Sequence, residues 1–247
     1  MNIAIIGYGS MGKIIKEMSE ERGHNVSIII DPQNNLANAK TISEADFSKI
    51  DVAIDFSHPE SVIKNIIELS QLGVNVVVGT TGWYDKINEV KKIIENAKTG
   101  FFWSSNFSIG VNLYYEIIRQ AAKLFNSFPE FDIWAHEVHH YNKIDSPSGT
   151  AKIIEKILLE NIERKTTIVE EKLDRKIKPE EIHFSSTRGG AVNFTHDVCF
   201  DSASDYVMIT HIARDRKGYA EGAIKAAEWL NKKKGFFSMK DFLSNIL

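Results

Sequence analysis

The sequence predicts an α/β protein in which a doubly wound parallel sheet is joined to a second, α+β domain. Three observations predict it. Over roughly the first hundred residues, short β-branched runs alternate with amphipathic segments of helical period. A glycine-rich turn, Gly7-Tyr8-Gly9-Ser10-Met11-Gly12, separates the first such run from the first amphipathic segment. From about Phe107 onward strands follow one another with fewer helices between them, the pattern of a mixed or antiparallel sheet.

Each element has its own warrant. "NIAII" reads as a strand and "MGKIIKEMSEERG" as a helix closed by Gly23. "VSIII", "VAIDFS" and "VNVVVG" are further strands; between the last two lies the helix "PESVIKNIIELSQLG", with Pro59 near its start and Gly73 as its stop. "DKINEVKKIIENAK" is the next helix and "GFFWSS" the next strand. Beyond Phe107, "GVNLYYEIIRQAAKLF" is helical, "FDIWAHEVHH" alternates like a strand, and "TAKIIEKILLENI" is helical again. "IHFSSTR", "VNFTHDVCF" and "YVMITHIAR" are strands, and "YAEGAIKAAEWLNKK" is a helix placed to return to the first domain. The chain shows no repeat and no low-complexity linker.

Composition narrows the function classes. With 247 residues, 43% hydrophobic and 26% charged, the chain has enough apolar material for one large core or two smaller ones. A net charge of −3 gives no basic surplus for a nucleic-acid or membrane-surface partner, so neither is expected. The single cysteine, Cys199, cannot form a disulfide within the chain, which favours a reducing compartment. "MNIAIIGYGS" lacks a basic leader and a long apolar run, so a soluble cytoplasmic protein is expected.

The stretch His136-Glu137-Val138-His139-His140 matches H-E-x-x-H, the zinc-protease spacing. That chemistry needs a helix, where residues four apart stand together over one ion. Here Phe131, Ile133 and Ala135 alternate with Asp132, Trp134 and His136, which favours a strand. In a strand His136 and His140 would share a face but stand about 13 Å apart, too far to hold one zinc. Asn142, Asp145, Pro147 and Gly149 would also interrupt a helix at once. The match reads as accidental, and no metal is expected.

The same residues suggest other work. "HHYNKIDSPSGTA" leads from a strand into a helix for which Ser146 or Ser148 is the N-cap. The free amides of Gly149, Thr150 and Ala151 would then point at an anion, with two histidines and a lysine close in sequence. Such a cradle suits a small carboxylate or phosphate, with histidine available as a proton donor. A capped helix after a loop with solvated histidines is the plainer alternative.

The first-domain motif weighs against that alternative. G-x-G-x-x-G directly follows a strand and opens a helix, the Rossmann context of the dinucleotide fingerprint. Gly7 permits the tight turn, Gly9 admits the pyrophosphate, and Gly12 lets helix and strand pack. Asp31 ends the second strand, where an acidic side chain receives ribose hydroxyls. Gly79, Thr80 and Thr81 in "VVVGTTGW", and Ser104, Ser105, Asn106 and Phe107 in "FFWSSNFSIGVN", lie at the carboxyl ends of later strands, where they suit nicotinamide and ribose contacts.

With these residues in place, the sequence resembles the dihydrodipicolinate (4-hydroxy-tetrahydrodipicolinate) reductase family of diaminopimelate–lysine biosynthesis, over essentially its whole length. The most specific element is E-x-H-H-x-x-K-x-D-x-P-S-G-T, met by Glu137, His139, His140, Lys143, Asp145, Pro147, Ser148, Gly149 and Thr150. "GTTG", "NFSIGVN", "RGG" at 188–190 and "ITHIARDRKGYAEGAIKAAEWL" support it. The resemblance implies a Rossmann domain, 1–107 plus 216–247, and a substrate-binding, tetramerising domain, 108–215. It also implies NAD(P)H-dependent reduction of a cyclic unsaturated dicarboxylate. By position it implies His139 as general acid and Lys143 as its cationic partner, with His140, Gly149 and Thr150 taking a substrate carboxylate. The cofactor set would be Gly7, Tyr8, Gly9, Ser10, Met11, Gly12, Asp31, Gly79, Thr80, Thr81, Ser104, Ser105, Asn106 and Phe107.

Two departures from the commoner family pattern stand out. The glycine loop, G-x-x-G-R-M-G in the family, is G-Y-G-S-M-G here, without the arginine, and D-A-P becomes D-S-P. NADH is expected to be preferred over NADPH, because Pro32, Gln33, Asn34 and Asn35 follow Asp31 where a 2′-phosphate needs a cation. A different Rossmann dehydrogenase of small amino acids or semialdehydes would explain residues 1–107 but not the H-H-x-x-K and P-S-G-T residues. A nicotinamide-binding regulatory protein is the rival from another class.

Overall fold

A computed structural model describes residues 1–244, so the last three positions of the expected segment 216–247 lie outside the described residues. The chain forms two compact units, residues 1–109 with 216 onward, and residues 110–215.

In the first unit the strands β1 (Asn2–Ile6), β2 (Asn25–Ile30), β3 (Val52–Asp55), β4 (Asn75–Val78) and β5 (Gly100–Trp103) alternate with helices α1 (Ser10–Glu21), α2 (Pro59–Gln71) and α3 (Ile87–Ala97). After the second unit the chain returns as α6 (Lys217–Leu230), β11 (Gly235–Ser238) and α7 (Met239–Ser244). The sheet order is β11-β5-β4-β3-β1-β2, and every pairing is parallel. This is the doubly wound sheet expected, with the order reversing at β1, where such sheets place their ligands. β11 and α7 are additions that sequence reading did not anticipate.

Alternation along β1 shows why the sheet is covered on both faces. Ile3 and Ile5 pack with Ile15 of α1, Ala223, Ile224 and Leu230 of α6, and Met239 and Phe242 of α7. Ala4 and Ile6 pack on the opposite side with Val62, Ile66 and Leu69 of α2 and with Val90 and Ile94 of α3. Each of the buried Val, Leu, Ile, Met and Phe side chains contributes roughly 1.5–3 kcal/mol relative to exposure. Helix α6 is further tied to the segment after α1 through Glu228, which meets Arg22 at 2.9 Å and His24 at 2.8 Å. At Gly222 of α6 an added Cβ would lie 1.7 Å from the Phe107 carbonyl oxygen, so only glycine permits this approach.

The second unit holds α4 (Ile109–Asn126), β6 (Asp132–His139), α5 (Gly149–Asn161), β7 (Thr167–Val169), β8 (Glu181–Arg188), β9 (Phe194–Asp201) and β10 (Tyr206–Ala213). Its sheet runs β10-β9-β6-β8-β7, with β6–β8 and β7–β8 parallel and the other pairs antiparallel. Ile133, Ala135, Glu137 and His139 of β6 are buried on one face. The other face carries Trp134, His136 and Val138, flanked across β9 by Met208, Thr210 and Ile212. Among the described residues, no helix is long and apolar enough to cross a membrane.

Candidate functional site

In the first unit, a cleft of about 980 Å³ opens at the carboxyl ends of β1 to β4. Gly7, Tyr8, Gly9, Ser10 and Met11 line it, as do Asp31, Gly79, Thr80 and Thr81. The three glycines play different parts. Gly7 has φ +89°, and a Cβ there would fall 2.4 Å from the Phe56 carbonyl oxygen. At Gly12 a Cβ would come 2.2 Å from the Gly7 oxygen, so this glycine serves the packing of α1 on β1 and does not line the cleft. A Cβ on Gly9 would meet nothing within 4 Å, so no protein packing demands glycine there. Gly9 is also the N-cap of α1 and gives no side-chain cap, and the first turn carries no acidic residue. A helix N-terminus with unmet N–H groups and a bare backbone fits a pyrophosphate.

Asp31 is more heavily engaged than its sequence position suggests. Its carboxylate accepts N–H bonds from Tyr8 at 2.8 Å, Gln33 at 2.8 Å and Asn34 at 2.9 Å. Burial alone would push its pKa up, but these donors and nearby Lys40 outweigh it and hold the group below the ordinary carboxylate range. Asn34 also donates its side-chain amide to the Tyr8 carbonyl at 2.8 Å. Asp31 therefore braces the glycine turn as well as facing the cleft, with Oδ2 retaining acceptor capacity for a hydroxyl.

The loop after β4 is pinned from below. Asp55, fully buried, accepts from Ser57 N–H at 2.9 Å, Ser57 Oγ at 2.7 Å, Thr80 Oγ1 at 2.8 Å and Asn65 Nδ2 at 2.8 Å. Burial pushes the Asp55 carboxyl up, against the pull of these donors. The Trp83 indole N–H donates to the Thr80 carbonyl at 2.8 Å. After β5, Ser104 folds its hydroxyl onto the Asn106 carbonyl at 2.7 Å, and Asn106 Oδ1 accepts from Ser108 N–H at 2.9 Å. Phe107 is 2% exposed and packs with Phe56 and Phe102, so its side chain is core. Ser104, Ser105, Asn106 and Phe107 do not line the cleft, whereas Phe56, Ser57, His58 and Lys64, not singled out from sequence, do.

In the second unit the chemistry gathers at the carboxyl end of β6. The strand observed over Asp132–His139 excludes the helical H-E-x-x-H arrangement, since His136 lies on the face opposite Glu137 and His139. His136 Nδ1 instead meets Ser185 Oγ at 2.7 Å. Register explains the neighbours on the inner face: Glu137 stands between Ser186 and His196, and His139 between Arg188 and Phe194.

Glu137 is 0% exposed and saturated with donors. Oε1 accepts from Ser148 N–H at 3.0 Å, Ser186 Oγ at 2.9 Å and Arg188 Nη2 at 2.7 Å. Oε2 accepts from Ser148 Oγ at 2.5 Å and meets His196 Nε2 at 3.2 Å. Burial would raise the Glu137 pKa, yet these bonds hold it well below the carboxylate range. Glu137, His139 and His196 place ligand-type atoms within 4.8 Å of one another. The donor set nevertheless suits a cation poorly: a dication would have to displace Ser148 and sit beside the Arg188 guanidinium.

His139 is 6% exposed, stacked on Phe194 at 5.7 Å and edge-on to His196 at 5.3 Å. Burial pushes its pKa down to about 4; Glu137 opposes this, while His196, Lys143 and Arg188 add to it. An isolated imidazole would titrate near neutrality, but here the ring is neutral at pH 7 in the ligand-free protein. Lys143 lies on the following loop, paired with Asp145 at 2.7 Å, and His140 is half-buried beside it. Ser148, rather than Ser146, caps α5, its Oγ accepting from Ala151 N–H at 3.1 Å. The Ala151 amide is therefore already taken, leaving Gly149 and Thr150 as the amides at the helix start.

Comparison with known proteins places this arrangement in context. Family models described as dihydrodipicolinate reductase, N-terminus and C-terminus, match residues 1–107 and 110–243. The 4-hydroxy-tetrahydrodipicolinate reductase of Christiangramia forsetii is 39% identical, covering 100% of this chain and 99% of its own. The reductase of the same name from Staphylococcus aureus (strain bovine RF122 / ET3-1) is 34% identical, covering 96% of this chain and 98% of its own. Among solved structures, dipicolinate-bound dihydrodipicolinate reductase from Paenisporosarcina sp. TG-14 superposes with a TM-score of 0.79 at 20% identity, covering 98% of each chain, which supports the fold. With both halves of one family matched in order and relatives similar along their full length, the chain belongs to the dihydrodipicolinate reductase family.

Proposed function

We propose that the chain is an NAD(P)H-dependent 4-hydroxy-tetrahydrodipicolinate reductase of the diaminopimelate–lysine pathway, with His139 as proton donor. The observation that carries the reading is the junction of β6 and α5, where a buried histidine and a helix N-terminus meet one carboxylate, Glu137, and a lysine stands on the loop between them. Such a site offers a proton and two kinds of anion contact to one small molecule.

The roles follow from the residues. The amides at the start of α1, beside Gly9, take the pyrophosphate, and Asp31 Oδ2 takes a ribose hydroxyl. When bound, the nicotinamide supplies the hydride. The amides of Gly149 and Thr150, with His140, take a substrate carboxylate without ordering a long side chain. Lys143 exchanges Asp145 for the substrate and stabilises its negative charge. Burial is the main cause of the low His139 pKa, with Lys143 and Arg188 adding to it; two incoming carboxylates neutralise those cations and favour the imidazolium as the substrate docks. The imidazolium then protonates the electron-rich enamine that is left when 4-hydroxy-tetrahydrodipicolinate has lost its 4-hydroxyl as water and the resulting conjugated imine has taken the hydride.

The cofactor preferred is NADH, since Asp31 and the uncharged Pro32, Gln33, Asn34 and Asn35 offer a 2′-phosphate no direct cation. Lys40 is the nearest candidate, and it is engaged with the Asn34 carbonyl at 3.1 Å. The chain acts as a soluble cytoplasmic homotetramer, with 1–107 plus 216–247 serving the cofactor and 108–215 serving substrate and assembly. Support for assembly comes from the outer sheet face, where Trp134, Tyr206, Met208 and Ile212 are exposed, the last at 64%.

Oxidation of NADH on addition of 4-hydroxy-tetrahydrodipicolinate tests the activity. His139→Ala should lower kcat by about 10²- to 10⁴-fold with a modest change in KM. Lys143→Ala should lower kcat as well, and His140→Ala should act mainly on KM. NADH affinity should be nearly unchanged in all three. Retention of more than about a third of wild-type kcat by His139→Ala would remove the assignment.

A further inference from the structure

Nδ1 of His139 is buried and has no hydrogen-bond partner. A buried ring nitrogen left in that state costs about 1–3 kcal/mol, so the position calls for an explanation. The one carboxylate within 4.0 Å of this ring among the described residues is Glu137, whose Oε2 lies 3.6 Å from Nδ1. A small rotation of the imidazole would bring that pair to hydrogen-bond distance.

We propose that Glu137 is a positioning residue of the reductase site: its carboxylate holds His139 as the Nδ1–H tautomer, stabilises the imidazolium that donates from Nε2, and couples this acid to the α5 anion cradle through Ser148. The inference rests on His139 being the proton donor. Five hydrogen bonds, one from the Arg188 guanidinium, keep Glu137 anionic and immobile. Around the ring, Lys143 from the loop, Arg188 from β8 and His196 from β9 disfavour a positive charge, and His211 of β10 lies behind His196. Glu137 supplies the opposing attraction.

The proton balance needs no movement on Glu137. The Nε2–H bond of the imidazolium breaks and a C–H bond forms at the enamine carbon, using the enamine electron pair. The neutral ring keeps Nδ1–H directed at Glu137, and Nε2 is reprotonated from solvent. Ser148 makes the link to binding: it caps α5 and donates both N–H and Oγ–H to Glu137. A carboxylate held at the helix start is thus fixed relative to the acid through one buried group.

The test is the pH dependence of kcat in Glu137→Gln, with 4-hydroxy-tetrahydrodipicolinate and NADH. Activity requires the imidazolium, so kcat falls as pH rises through the pKa of the bound state. Loss of the Glu137 charge should move that fall at least one unit toward lower pH. The variant's deficit would then be about tenfold or more larger at pH 8 than on the acidic plateau. A purely structural role predicts the same loss at every pH, and that result would overturn the proposal. Should Glu137→Gln fail to fold, ¹⁵N NMR of the wild type with bound pyridine-2,6-dicarboxylate, titrated to a pH above the pKa of the bound state so that the ring is neutral, reads the tautomer directly. Nδ1 protonated in the neutral ring is expected, and an Nε2–H tautomer refutes the idea. Failure of the underlying reading shows differently, as no turnover by the wild type or full turnover by His139→Ala, and neither result alters the tautomer measurement.

Discussion

Replacing Asp55 separates what a buried carboxylate does for the fold from what it does for cofactor binding. Asp55 ends β3 and collects Ser57, Asn65 of α2 and Thr80 of the loop after β4, all within 2.9 Å. In Asp55→Ala the Ser57 amide, the Thr80 hydroxyl and the Asn65 amide lose their acceptor in a dry site. At about 1–3 kcal/mol for each orphaned donor, partly relieved where side chains turn away, the cost is about 3–6 kcal/mol. That corresponds to a fall in melting temperature of about 6–20 °C for a unit of this size. Asp55→Asn behaves differently. Its oxygen retains the three donors on the Oδ1 side, and Asn65 can flip its amide to accept from the new NH₂, giving up its 3.2 Å bond to Ser57. The loss is then mainly the charge assistance, about 1 kcal/mol. Because Ser57, Thr80 and Thr81 line the cleft, the Ala variant should also bind NADH at least tenfold more weakly, and the Asn variant within about threefold of wild type. Thermal melts with NADH titration by fluorescence read both effects. An Ala variant that melts with the wild type and binds NADH within twofold would refute the role given to Asp55.

Three further outcomes are expected. Purified protein should carry no stoichiometric metal, and chelation should leave NADH oxidation unchanged; one zinc per chain, lost with activity in His136→Ala, would reverse that. NADH should be used at least as well as NADPH, and a specificity constant tenfold higher for NADPH would contradict the reading of Asp31 and its neighbours. Glu155 of α5 is 5% exposed, and burial, with a further push from Glu170 and against Lys152, raises its pKa to about 7. Between pH 4.5 and 7 the folded chain therefore holds a proton that the unfolded chain has shed, and stability falls as pH rises through that window. Glu155→Gln should abolish this decline and be more stable at pH 8, by up to about 3 kcal/mol. Denaturation curves for the two proteins that run parallel from pH 5 to 8 would rule the effect out.

The first unit was largely legible because its signals are local. β1, the glycine turn and α1 follow one another within twenty residues, and a continuous apolar run gives way to a 3.6-residue period at Gly7–Gly12. β11 was not legible: "GFFS" is four residues long, begins on a glycine and shows no alternation, and only its pairing with β5 makes it a strand. β7, three residues beside β8, escaped for the same reason. Phe107 shows the limit of motif reading. It stands among polar loop residues, yet its ring lies against Phe56 and Phe102 because α6 packs over it, an approach that depends on Gly222 more than a hundred residues away.

The second site was legible in its residue types and illegible in its connections. Glu137, His139, Lys143 and the start of α5 fall within fourteen positions, so their proximity could be read directly. Arg188 and His196 come from β8 and β9, and nothing local places them beside Glu137; that follows from the registers Glu137↔Ser186 and Glu137↔His196. The same two-residue period resolves the H-E-x-x-H coincidence. On a helix, His136 and His140 would face one ion; on β6 the alternation sends His136 to the outer face and keeps Glu137 and His139 together inside. The substitution of strand for helix thus converts a would-be metal motif into a carboxylate–imidazole pair. It also explains why the middle glutamate shows no role within H-E-x-x-H until the strand is paired: its hydrogen-bond partners, Ser148, Ser186, Arg188 and His196, are supplied by chain that the motif does not contain.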